Sequence, residues 1–325
     1  MNARMKKLSV LLTTYHEAFL VRGGGEYELL SVADGLRQYG FIADIYGPYS
    51  RPIDFYDVVL HFSVSGGLGL LRMVKTHGKP VVLWPNLWAD ALSLDAVAMI
   101  REHVELADFV AFKSDAEASN FTALVDVPEA KQVRCKAVAD MCYLKSSPRR
   151  LFQDLYGIQD YALWMGIIEP RKNQLSIIAP LRELGVPLVM VGKYRDKDYY
   201  DACRKAGGGE VLFIDSLPQR SEIVRSALQN ARFYVELSLE PAGLSALEAG
   251  LSGCRMLLSD SEWSREHFLD QAEYVDPLSS VSIVKGVKRV LQRPDFNSAL
   301  QEHVSAYCFP NAMVPLVDVL RKAAA

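Results

Sequence analysis

Phe233-Tyr234-Val235-Glu236-Leu237-Ser238-Leu239-Glu240-Pro241-Ala242-Gly243-Leu244-Ser245-Ala246-Leu247-Glu248 passes from a short apolar run, through a turn with Pro and Gly, into a helical pattern. The run Phe233–Leu237 lacks the strict polar alternation of a half-exposed strand, so it reads as a strand buried on both faces of a parallel sheet. Similar runs lie on either side of it. In the C-terminal half they are Leu163–Met165, Leu188–Val191, Val211–Ile214 and Met256–Leu258. Their starts recur about every 20 to 25 residues, the length of a strand plus a crossover helix. In the N-terminal half they are Leu8–Leu12, Phe41–Tyr46, Asp57–Phe62, Val81–Trp84 and Phe109–Phe112, with amphipathic segments such as Tyr27–Gln38 between them. The pattern predicts an α/β protein with two doubly wound domains. The polar stretch Lys145-Ser146-Ser147-Pro148-Arg149-Arg150 marks the linker. The expected boundaries are 1–145, 146–310, and a C-terminal helix over 311–325, whose apolar stripe Val314, Leu316, Val317 and Leu320 could dock on either domain, packing back on the first or staying with the second.

Bulk composition narrows the classes. The 325 residues, 50% hydrophobic and 23% charged, suit a globular chain with two cores. Lys and Arg (36) nearly balance Asp and Glu (39), so a net charge of −3 gives no basic footprint for nucleic acid. Five cysteines without a CxxC pair read as reduced thiols of a cytoplasmic protein. The start, Met1–Leu12, reads as the first strand rather than a signal peptide. No run approaches the roughly 20 apolar residues of a membrane helix, which leaves peripheral attachment to a membrane surface open.

Two loops carry the chemistry. In the quoted stretch, Glu240 sits where open α/β sheets place ligands, beyond the carboxyl end of a strand. Gly243 lets backbone approach closely, and the amides of Gly243, Leu244 and Ser245 form a helix N-terminus suited to phosphate. Glu248, one turn past Leu244 on the same face, is placed for a ribose diol; the competing reading is a solvated helix face. The second loop, Gly166-Ile167-Ile168-Glu169-Pro170-Arg171-Lys172-Asn173-Gln174, puts adjacent cations at another strand end. Arg171 and Lys172 could clamp a diphosphate and stabilise its charge as it leaves; an exposed basic pair with no role is the alternative.

These residues, with Val191-Gly192-Lys193 and Ser252-Gly253-Cys254-Arg255-Met256-Leu257-Leu258-Ser259-Asp260, resemble the retaining glycosyltransferases of family four, the glycosyltransferase group 1 family, over nearly the whole chain. The resemblance implies the GT-B fold, two Rossmann-like domains facing across a cleft. It implies that Arg171 and Lys172 bind the diphosphate of a nucleoside-diphosphate sugar, of UDP or GDP type, that Glu240 contacts the sugar, and that Glu248 holds the ribose. Gly166, Gly243, Leu244 and Ser245 line that donor site. Leu217, in Asp215-Ser216-Leu217-Pro218, lies against the base. Gly24 and Gly25, in Gly23-Gly24-Gly25-Glu26 before the helix Tyr27–Gln38, approach the donor phosphate or the acceptor. The implied reaction is metal-independent and cofactor-free transfer of a hexose, with retention, to a hydroxyl of a glycan, lipid-linked or small-molecule acceptor. Its expected setting is polysaccharide or glycolipid synthesis at the inner face of a membrane.

The sequence departs from that pattern in two places. The family has Arg after the glycine matching Gly166, where this chain has Ile167, and Arg171 is the available substitute. It often has His after the strand matching Val81–Trp84, where this chain reads Trp84-Pro85-Asn86-Leu87-Trp88. Asn86 can hydrogen-bond a sugar hydroxyl, and Trp84 and Trp88 can stack on a sugar face, although a buried tryptophan is more often core. His61 and His16, after their strands, are either structural or cleft residues. Asp196-Lys197-Asp198 reads as a solvated helix start rather than a metal site. The alternatives to a transferase are a sugar-nucleotide epimerase and a non-catalytic, glycosyltransferase-like subunit.

Overall fold

In the computed structural model, residues 7–20 and 23–325 are described, so residues 1–6 of the basic start lie outside them. The described chain forms two compact units: the residues up to Ala139 with Tyr307–Ala325, and Asp140–Ala306. Each contains one sheet of six strands, all parallel.

The first sheet is built from β1 (Ser9–Thr13), β2 (Ile42–Ile45), β3 (Val58–Phe62), β4 (Val81–Trp84), β5 (Phe109–Phe112) and β6 (Gln132–Arg134), in the order β2-β1-β3-β4-β5-β6. β1, β3 and β4 are buried along their whole length, because helices cover both faces. One face packs under the helix Gly24–Gln38 and the C-terminal helix Val314–Ala323, through Leu29, Val32, Leu36, Leu316, Val317 and Leu320. The last helix thus completes the first unit's core, although the chain between Asp140 and Ala306 belongs to the second.

The second sheet contains β7 (Ala162–Met165), β8 (Leu188–Val191), β9 (Val211–Ile214), β10 (Phe233–Glu236), β11 (Met256–Ser259) and β12 (Glu273–Val275), in the order β12-β11-β10-β7-β8-β9. The chain winds outward from β7 to β9 and then returns to the other side, so the strand order reverses between β7 and β10. These two pair with Phe233 opposite Ala162 and Tyr234 opposite Leu163. In open parallel sheets the reversal opens a crevice at the carboxyl ends, where ligands bind. The loops that leave β7 and β10 are the two singled out in the sequence.

Three expectations change. Each sheet has six strands rather than five: β6 and β12 are three-residue edge strands carrying Gln132, Arg134 and Glu273, too short and polar to show an apolar run. The first helix begins at Gly24, not Tyr27, so Gly24 and Gly25 form its first turn; the backbone N–H of Gly23 donates to Glu26 Oε2 at 2.6 Å, fixing the start. Lys145–Arg150 lies inside the second unit, where Ser147 Oγ donates to Gln229 Oε1 (2.8 Å) and Pro148 O accepts from Ser226 Oγ (3.0 Å). No helix among the described residues is long and apolar enough to cross a membrane. No disulfide joins the five cysteines, all of which lie among the described residues.

Candidate active site

After β7 the chain makes a tight turn, Pro170–Lys172, held against the chain that leaves β10. Leu239 N–H donates to Arg171 O at 2.9 Å, and Asn173 Nδ2 donates to Leu237 O at 3.1 Å and to Pro277 O at 3.0 Å. Asn173 adopts φ 59°, a left-handed conformation that Asn tolerates better than most residues. This stitching places Lys172 over the end of β10.

Lys172 Nζ lies 3.0 Å from Glu240 Oε1 and 3.5 Å from Glu236 Oε1, and Arg171 Nε lies 3.2 Å from Glu240 Oε2. The expected residues Arg171, Lys172 and Glu240 are therefore brought together. Arg171 is half exposed, with 48% of its side chain accessible, whereas Lys172 retains 16%. Burial works against the Lys172 ammonium, but the Glu236 and Glu240 carboxylates outweigh it and hold the proton more firmly than in an ordinary lysine.

Glu236 was not anticipated. It is 1% exposed, and its Oε2 accepts from Tyr234 Oη at 2.6 Å and Ser245 Oγ at 3.2 Å, while Ser238 Oγ approaches Oε1 at 3.4 Å. Burial raises its carboxyl above the usual carboxylate range, against the pull of Lys172 and the hydroxyls. For this contact the two shifts oppose each other: Lys172 is biased toward the charged form and Glu236 toward the neutral one. Lys172 stays charged in either case, because Glu240 is closer. The signal for Glu236 was present in the sequence: a carboxylate inside an otherwise apolar, fully buried strand needs a partner.

Gly243 precedes the helix Leu244–Leu251 with φ 80°, a conformation that favours glycine, and it lets β10 turn sharply into that helix. Ser245 Oγ is turned toward Glu236 rather than outward. Glu248, on the same helix, is partly exposed, but its carboxyl sits deep enough that burial pushes it up to about 8, opposed by a hydrogen bond from Tyr143. Asp140 and Arg220, paired at 2.8 Å, stand beside it, and Arg220 N–H donates to Tyr143 Oη at 3.4 Å. Tyr143, Asp140 and Arg220 are far from Glu248 in sequence and left no local signal. Leu217 is partly exposed in the loop after β9, and Gly166 turns out of β7 with φ 151°.

In the first unit, at the carboxyl ends of its strands, Lys113 Nζ reaches Asn86 Oδ1 (2.5 Å) and Glu28 Oε2 (3.2 Å). Asn86 and Trp88 are partly exposed and His16 is exposed. Of the two readings of His61 the structural one holds: it is fully buried, its Nδ1 2.7 Å from Thr13 Oγ1, its Nε2 3.2 Å from Gly66 O, and its ring stacked on His103. Burial lowers its pKa to about 4 and keeps the ring neutral, with both nitrogens engaged inside the unit and no surface open to a ligand. Trp84 is likewise core, fully buried and stacked on Phe62. Asp196 caps the helix Lys197–Gly207, accepting from Tyr199 N.

No family model matches the sequence, and no curated protein matches it. Solved structures do. Sucrose-phosphate synthase from Thermosynechococcus elongatus is similar over 97% of this chain and 99% of its own, with TM-score 0.81 and 13% identity. HepE of Anabaena, in complex with UDP and glucose, is similar over 98% of each chain, with TM-score 0.73 and 16% identity. The fold is GT-B. A glycosyltransferase from Rickettsia africae aligns over 98% of both chains as well, with TM-score 0.79 and 11% identity. At identities this low the likeness establishes the GT-B architecture of two parallel, Rossmann-like sheets and leaves the chemistry to the residues.

Proposed function

We propose that this chain is a retaining glycosyltransferase that uses a nucleoside-diphosphate sugar, with the donor bound at the carboxyl ends of β7 and β10. The observation that carries the reading is the cluster Arg171–Lys172–Glu240 at the strand reversal, with Glu248 on the helix that follows. The two cations are within reach of one diphosphate and can stabilise the charge that grows on it as the glycosidic bond breaks, without a metal or cofactor. The amides of Gly243, Leu244 and Ser245 add a helix N-terminus, Gly166 allows close approach, and Leu217 takes the base. Glu240 meets the sugar. Glu248, protonated at neutral pH, both donates to and accepts from a ribose diol. The complexes of HepE with UDP and with UDP-glucose favour a uridine donor.

The acceptor, a hydroxyl of a glycan, lipid-linked or small molecule, falls to the first unit, with Asn86, Trp88, His16 and the Gly24–Gly25 turn as its contacts. Polysaccharide or glycolipid synthesis on the cytoplasmic face of a membrane is the setting we assign. Thermal unfolding against UDP, GDP, dTDP, ADP and CMP sugars tests the donor site, because a ligand that binds only the folded state raises the midpoint. A shift with one base supports the reading and names the nucleotide. No shift with any of them would turn the assignment to a non-catalytic subunit, which Ile167, in place of a cation, also favours.

A further inference from the structure

With both of its carboxylates ionised, the cluster around Lys172 is electrically balanced in a way that a diphosphate site should not be. Its two cations, Lys172 and Arg171, already face two carboxylates, Glu240 and Glu236. A dianionic diphosphate entering this neutral cluster must displace a carboxylate or see one neutralised.

The two carboxylates have different freedom. Glu240 lies in the loop beyond β10 with 22% of its side chain accessible, and it can swing into solvent when phosphate takes its place on Lys172 and Arg171. Glu236 cannot leave. It is on β10, 1% exposed, and held by the hydroxyls of Tyr234 and Ser245 on one oxygen, with Ser238 Oγ and Lys172 Nζ facing the other. Once Lys172 turns to phosphate, an ionised Glu236 would be a buried charge beside an incoming anion, stripped of its counter-ion.

We propose that Glu236 takes up one proton when the donor diphosphate binds, making it a positioning residue that couples donor affinity to pH. The proposal rests on the donor-site reading above. The proton passes from solvent to Glu236 Oε1. The Lys172–Glu236 ion pair is exchanged for Lys172–phosphate, and no covalent bond changes. Burial already biases this carboxyl toward its neutral form. The other groups facing it do not supply the same effect. Tyr234, from β10, is held neutral by burial; Lys172, from the turn after β7, holds its proton more firmly than an ordinary lysine; and Arg171 beside it faces Glu240, which leaves toward water. Glu248, on the helix Leu244–Leu251, holds its proton up to about 8 and so has none to gain at neutral pH.

Titration calorimetry of the full chain with UDP-glucose tests this. The sugar-blocked diphosphate has no group that titrates near neutral pH. At each of several pH values the measurement is made in two buffers of different ionisation enthalpy. Wild type should take up about one proton per ligand, with affinity falling about tenfold per pH unit once free Glu236 is ionised. Glu236→Gln should bind without proton uptake and with a flat pH profile, and Glu248→Gln should keep the uptake. Binding to wild type with no buffer-dependent heat would overturn the proposal, even if Glu236→Gln failed to fold, and so would equal uptake in Glu236→Gln. The absence of binding by UDP-glucose and by GDP-mannose in every buffer would instead sink the donor-site reading, and this inference with it.

Discussion

Lys172 Nζ and Glu240 Oε1 stand 3.0 Å apart, with the second oxygen of the same carboxylate 3.2 Å from Arg171 Nε, so one side chain closes over both cations of the turn. A diphosphate must compete with it. Glu240→Ala should therefore bind free UDP about fivefold more tightly, near 1 kcal/mol, the scale of a partly exposed ion pair, while sugar transfer is lost. Calorimetry and a transfer assay separate the two effects. Weaker UDP binding would mean that Glu240 is itself a nucleotide contact.

Ile167 occupies the position after Gly166, and its carbonyl accepts from Gln174 Nε2 at 2.8 Å, so the backbone there is fixed and the side chain can change. Because the cations of the local cluster already face two carboxylates, Ile167→Arg should tighten UDP-glucose binding about tenfold, roughly 1.4 kcal/mol, and steepen its dependence on salt. An unchanged affinity in calorimetry would show that Arg171 already provides what the missing cation would.

The architecture was legible because parallel strands buried on both faces must be apolar. The ten longer strands announced themselves, and only the polar edges β6 and β12 did not. The loops after β7 and β10 were legible too, since glycine, proline and charge at a strand's end have few structural uses. What stayed hidden was set by packing between distant segments. Nothing near Glu248 foretold Tyr143, and nothing near Lys172 foretold that Glu236 would face it from the neighbouring strand. His61 shows the converse: its place after a strand left a ligand role open beside a structural one, and the Thr13 hydroxyl and Gly66 carbonyl take up both ring nitrogens.

Gly192 follows β8 where its backbone touches the turn out of β7. A Cβ there would lie 1.8 Å from Gly166 O and 2.6 Å from Gly166 C, both backbone atoms that cannot give way cheaply. Gly192→Ala should cost about 3 kcal/mol of stability in urea unfolding. Where the protein still folds, it should also weaken nucleotide binding by moving Gly166. By contrast, a Cβ on Gly24 meets nothing within 4 Å, so Gly24→Ala should leave stability intact, and any loss of transfer would report a ligand contact. A Gly192→Ala protein as stable as wild type would refute the close approach of these two loops.

Glu248 makes stability depend on pH with a sign that can be stated in advance. Burial, opposed by the Tyr143 hydrogen bond, lifts its carboxyl from the ordinary 4.5 to about 8 in the folded chain. The native state then holds the proton more tightly than the unfolded state does. The contribution is complete below the unfolded value, declines as pH rises through the interval between the two, and is gone above about 8. The slope contributed by this group is at most about 1.4 kcal/mol per pH unit, reduced where its edge meets solvent. Glu248→Gln keeps the shape and a hydrogen-bonding head without the charge. Its stability relative to wild type should rise with pH through that interval in urea unfolding followed at several pH values. Parallel curves for the two proteins would mean that the carboxyl titrates alike folded and unfolded, and that a neutral Glu248 is not what meets the ribose.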